Sequence, residues 1–207
     1  VKNIRFTTDV TSQLNAAIFG ALKGTVKNLT VGAEGDVWTI TGTCSAGTSI
    51  AGVTATAVEG AVIENCTNNV SFDFKAADPK DILVSIAGIA ADVKGLAVTK
   101  CTNNADVHVK DLANTGNGGK GLQLAGIVGY ARAATAVTEC TNNGDFSAAS
   151  GRGGGIVGTL DGSTVVKCTN NGTIEDDKFG QFGGSQDVYN NKRMGGLVGG
   201  TGGTTSI

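Results

Sequence analysis

Four of the five cysteines sit in one tetrapeptide, CTNN, beginning at Cys66, Cys101, Cys140 and Cys168. Thiols support nucleophilic attack, metal ligation and disulfide exchange, and each needs a partner. A nucleophile needs a base, yet the chain has a single histidine, His108, in ADVHVKD, where alternation with Val107 and Val109 turns it outward. Zinc ligation favours paired spacings such as CxxC, and none occurs. Five is odd, so at least one thiol lacks an internal partner. Carboxylates offer a second chemistry. Asp73, Asp106 and Asp145 each follow a CTNN motif, but only the last two share an offset. Glycoside hydrolysis needs a convergent pair about 5–9.5 Å apart, so these three read as solvated turn residues. The acidic run Glu175–Asp177 and Asp187 lack the GGxGxD calcium signature, and GRGGG (Gly151 to Gly155) lacks the GxxxxGK[ST] spacing of a phosphate loop. No metal and no cofactor is expected.

A catalytic site needs its residues once. A motif rebuilt four times marks a structural unit that stacks on copies of itself. Three residues before each cysteine stands a β-branched residue: Ile63, Val98, Val137 and Val165. VKNI (Val1 to Ile4) and VKNL (Val26 to Leu29) fit the same frame, giving coil anchors Ile4, Leu29, Cys66, Cys101, Cys140 and Cys168. Exchange among Ile, Leu and Cys describes a buried apolar position, not a reactive thiol. A glycine block precedes each anchor: IAGV from Ile50, IAGI from Ile86, LAGIVG from Leu124, GGGIVG from Gly153, with MGGLVG from Met194 opening another unit. From Gly52, Gly88, Gly126 and Gly155 to the next cysteine is 14, 13, 14 and 13 residues, a path with little room for insertion. Alternating apolar residues follow, at Phe72/Phe74 and Val107/Val109, with Phe146 and Ile174 in the equivalent first positions.

Each unit thus holds three short strand candidates between turn signals. The expected fold is all-β: a single-stranded parallel β-helix, or β-solenoid, right-handed by the chirality of parallel crossovers. One domain spans residues 1–207, with the chain a piece of a longer protein or pairing at its ends. Stacked at about 4.8 Å per coil, the cysteines form an internal column, reduced in preference to bridged. Asn68, Asn103, Asn142 and Asn170 form a structural ladder with them, at a bend where asparagine tolerates unusual backbone angles and its amide bonds from coil to coil. The β-branched residue and the anchor cannot both face inward on a regular strand, so a bend or bulge is expected between them. TSQLNAAIFGALKG reads as a helix from about Ser12 to Ala21 or as the first coil's glycine-block strand, the second being favoured.

The totals restrict partners. Sixteen basic and 18 acidic residues leave a net charge of −2, which predicts neither a nucleic acid nor an anionic membrane surface as partner. Glycine, at 33 residues, is about twice its usual share of roughly 7 % and lacks the collagen period. No apolar run reaches the ~18 residues of a membrane span. Length varies instead in three excursions, Ala76–Leu83, Leu112–Gly121 and Glu175–Arg193, which leave one edge if the coils stack in register. The last holds Phe179, Gln181, Phe182, Tyr189, Asn190, Lys192 and Arg193. Its aromatics and amides suit a sugar or protein surface, or its rings fold back over the core. Trp38, in GAEGDVWTITG, offers the same two readings.

GGGIVGTLDGSTVVKCTNNGTI and LAGIVGYARAATAVTECTNNGDF resemble the GLUG-type repeat of surface proteins of Bacteroides-like gut bacteria, over about residues 17–207. The pattern departs where Ile86–Ala90 lacks the final glycine. The resemblance implies an exported, extracellular or cell-surface module, assigned to cell adhesion and not an enzyme. Its partner would be a host or bacterial surface glycan or protein, with any membrane attachment through a lipid anchor outside this chain. A carbohydrate-active β-helix enzyme, lyase or glycoside hydrolase, and a fibre-like structural subunit are the alternatives.

Overall fold

The computed structural model describes residues 7–10, 14–43, 47–77, 83–109, 122–148, 151–175 and 193–207. All regular elements in them are strands, paired in parallel into five sheets that the chain visits in a fixed order. The first sheet holds Leu14–Ala16, Thr48–Ala51, Val84–Ala87, Leu122–Ala125, Arg152–Gly154 and Arg193–Gly195. The second holds Phe19–Leu22, Thr54–Ala57, Ala90–Lys94, Val128–Arg132, Val157–Asp161 and Val198–Gly202. The third holds Thr25–Lys27, Val62–Glu64, Ala97–Thr99, Ala136–Thr138 and Thr164–Val166. In the fourth are Thr30–Val31, Thr67–Asn68, Thr102–Asn103, Thr141–Asn142 and Thr169–Asn170. Thr7–Val10, Val37–Thr43, Ser71–Ala77, Val107–Val109, Phe146–Ala148 and Ile174–Glu175 make the fifth. One circuit is one coil of a single-stranded parallel β-helix. Thr30, Thr67, Thr102, Thr141 and Thr169 pair in series, which stacks Leu29 and the four cysteines beside them; Ile4 and Cys44 lie outside the described residues. The segment from Leu14 is strand, in Leu14–Ala16 and Phe19–Leu22, as the favoured reading expects.

Five strands per coil replace the three that turn signals suggest. The reason is a corner without glycine or proline. Asn28, Asn65, Lys100, Glu139 and Lys167 have φ between 52° and 56° and turn the chain from the third sheet to the fourth. A left-handed residue with a side chain costs about 1–2 kcal/mol. Bonds to the next coil offset this: the Asn65, Lys100 and Glu139 N–H groups donate to Thr99, Thr138 and Val166 carbonyls, each at 3.0 Å. The corner is the expected bend, and it resets side-chain alternation, so that Ile63, Val98 and Val137 and the cysteine after each are all fully buried. It also corrects the expectation for the asparagines. The unusual backbone angle precedes the cysteine, and the first asparagine after Thr lies in a regular strand.

Apolar residues stack inside by type and position. The fifth sheet supplies Trp38, Phe72, Val107 and Phe146 in one column and Ile40, Phe74 and Val109 in the next. Trp38 is 1 % exposed and meets Phe72 edge-on at 5.6 Å between ring centroids. Of its two readings the core one holds, and its ring offers no face to a ligand. The central strands of the first sheet, Thr48–Ala51, Val84–Ala87 and Leu122–Ala125, are buried on both faces; Gln123 accepts a hydrogen bond from Thr159 Oγ1 of the second sheet.

The constant path from glycine block to anchor has a physical cause. Its two ends press together across the interior. A Cβ on Gly52 would lie 2.4 Å from Asn68 Oδ1, on Gly88 2.3 Å from Asn103, on Gly126 2.1 Å from Asn142, and on Gly155 2.2 Å from Asn170. Only a bare Cα leaves space for the buried carboxamide. The largest variation in length lies elsewhere, in the connections from fifth sheet to first, such as Ala77 to Val84, Val109 to Leu122 and Glu175 to Arg193. Links from first sheet to second, and from third to fourth, are always two residues.

Gly126→Ala should therefore cost about 1–3 kcal/mol through overpacking, lowering Tm by roughly 2–4 °C per kcal/mol. Asn103→Val, which strands the Asn68 N–H and the Asn142 carbonyl oxygen, should cost at least about 2 kcal/mol. Removing the exposed neighbour, Asn104→Ala, should cost under about 1 kcal/mol. Thermal unfolding of the three variants checks this ranking.

Candidate functional site

Both asparagines of CTNN form ladders, on opposite sides of the fourth sheet's edge. The inner ladder runs Asn68, Asn103, Asn142, Asn170, with each Nδ2 donating to the next Oδ1 at 2.8 Å. The same Nδ2 groups also donate to the carbonyls of Val70, Ala105, Gly144 and Gly172, at 2.7–3.0 Å. Asn68, Asn103 and Asn142 are buried, so both N–H groups of each are satisfied inside the protein. Val31 occupies the same slot in the first coil. The outer ladder runs Asn69, Asn104, Asn143, Asn171 and donates the opposite way. Asn171 donates to Asn143, Asn143 to Asn104 and Asn104 to Asn69, at 2.8, 2.8 and 2.9 Å. Asn104 and Asn143 are exposed, and each keeps one N–H and one oxygen lone pair beyond the ladder.

A second polar row follows two residues on. Ser71 Oγ accepts the Asp106 N–H, Asp106 Oδ1 the Asp145 N–H, and Asp145 Oδ1 the Thr173 N–H. These two aspartates are ties between coils, not only the solvated turn residues the sequence suggests. Between the rows opens a groove of about 550 Å³, lined by Glu34, Gly35, Asn69, Ser71, Asn104, Ala105, Asp106 and Asn143. Amide, hydroxyl and carboxylate groups line it, with neither lysine nor arginine. His108 faces outward beside it, as expected, but is engaged: Nδ1 lies 2.8 Å from Ser147 Oγ and Nε2 3.7 Å from Asp106 Oδ2.

The cysteines carry free thiols in an internal column. Each Sγ donates to the carbonyl two residues before it and to one on the preceding coil, as Cys101 does to Thr99 at 3.4 Å and Ile63 at 3.7 Å. Hydrogen bonding with Cys101, and then burial, push the Cys66 and Cys140 thiols upward. Among the described residues no three His, Cys, Asp or Glu side chains gather to hold a metal.

Of the residues proposed for ligand contact, Phe179, Gln181, Phe182, Tyr189, Asn190 and Lys192 lie outside the described residues. Arg193 begins the last strand of the first sheet, paired to Arg152. The groove residues were missed. Their signal was the second asparagine of CTNN, repeated although a buried ladder needs only one per coil.

Hydrogen bonding with Cys140 and Cys66 draws the Cys101 thiol down, but Cys101 is buried with Cys66 and Cys140, and only Cys168, at the column's end, is half-buried. Hydrogen bonding from Cys140 draws its thiol down to about 7 against the effect of burial. Iodoacetamide should label Cys168 first, with a rate that rises as pH passes about 7 and the thiolate forms. Cys66, Cys101 and Cys140 should react only after unfolding; equal labelling of all four in the native protein would contradict the column.

No family model, no curated protein and no solved structure matches this chain.

Proposed function

We propose that the chain is a non-catalytic cell-surface module: a rigid scaffold for adhesion, or for recognition of a surface glycan or protein. The observation that carries this is the division of labour in the coils. Cysteine, inner asparagine and aspartate rows all bond from coil to coil, in unbroken register over the described coils. The largest length variation falls in the connections from fifth sheet to first. A frame so constrained holds its outer groups at fixed spacing, and variable connections on a rigid frame are where recognition is usual. The GLUG-type resemblance supports the same reading, with export to the cell surface and a glycan or protein as partner.

The intact protein should bind specific members of a glycan and matrix-protein array. It should release no sugar from a broad polysaccharide panel. Sugar release would replace this reading with that of a carbohydrate-active β-helix enzyme, and an array without hits would remove it.

A further inference from the structure

We propose that the groove between the outer asparagine ladder and the aspartate row binds a neutral, linear glycan laid along the solenoid axis, one sugar per coil. This rests on the surface-recognition reading and deepens it by naming site and ligand class. The first argument is repetition. Asn69, Asn104 and Asn143 present the same carboxamide at each coil, about 4.8 Å apart. A ligand using all of them must repeat its own polar groups at that interval, in a line. An extended polypeptide does not: its same-side groups recur at about 6.8 Å, twice the strand rise. A pyranose chain with equatorial linkages advances by close to one coil height per ring, and because each ring carries hydroxyls on both edges, every ring can meet a carboxamide even though successive rings are flipped.

The second argument is hydrogen-bond character. Beyond the ladder, Asn104 and Asn143 each offer one donor and one acceptor side by side. Sugar hydroxyls both donate and accept, so each ring can close a pair of bonds with one carboxamide. Ser71 and the carboxylates of Asp106 and Glu34, on the same groove, add acceptors for further hydroxyls. The third argument is charge. Among the described residues Glu34 and Asp106 line the groove with no lysine or arginine, which disfavours uronic-acid or sulfated glycans and nucleic acids.

The test is calorimetric titration with cello-, manno- and chito-oligosaccharides of graded length, and with oligogalacturonate as the anionic comparator. Affinity for at least one neutral series should climb with each added ring and level off near three rings, the number of outer asparagines that line the groove. Oligogalacturonate should bind at least about tenfold more weakly. The double variant Asn104→Ala/Asn143→Ala should lose about tenfold or more in affinity, with thermal unfolding close to that of the parent. A chain with residues 177–191 replaced by a short Gly/Ser linker should keep its affinity within about twofold. If the linker variant loses binding and the double variant keeps it, the groove proposal falls while the surface-recognition reading stands. Affinity independent of length, preference for the anionic chain, or no binding to any neutral series overturns the groove proposal. If no array ligand binds either, the broader reading falls with it.

Discussion

A carboxamide pressed against a bare glycine Cα sets the geometry of this protein. The amide of Asn68, Asn103, Asn142 or Asn170 is held on one side by the next amide and on another by a glycine from the opposite wall. Burying an amide costs free energy unless each donor and acceptor is paired. In Asn68, Asn103 and Asn142 both N–H groups are paired, one along the stack and one to the chain itself. That fixes three things together: the height of a coil, the distance between opposite walls, and the residue allowed at the glycine. The cysteine column follows from it, since the anchors lie two residues from the asparagines and inherit their register.

Much of this was legible in the residues because repetition marks stacking. CTNN, the β-branched residue three before it and the glycine block each recur at positions that fold onto one another, and the constant glycine-to-cysteine path implied a closed circuit. The corner from third sheet to fourth was not legible as a corner. Lysine, glutamate and asparagine occupy it in a left-handed conformation that ordinary turn chemistry reserves for glycine. Inter-coil hydrogen bonds hold that conformation, and a neighbouring coil is invisible to local pattern. Trp38 was ambiguous for a similar reason, as a lone aromatic in a glycine-rich stretch gives no sign of the Phe72 ring that receives it.

The groove was harder still to foresee. Asn69, Ser71, Asn104 and Asp106 come from two coils and line one surface only once these are superposed. Asp106 illustrates the limit. In the chain it is a polar residue after a turn; in the fold its Oδ1 ties down the next coil while its other oxygen stays near His108. One side chain thus ties the next coil with one oxygen and meets a neighbour in its own coil with the other.

The two asparagine ladders donate in opposite senses, the inner toward the C-terminal coils and the outer toward the N-terminal ones. Amide dipoles aligned head to tail accumulate, as they do along a helix. Two antiparallel rows side by side cancel instead. Adding coils therefore lengthens both rows while their dipoles oppose one another.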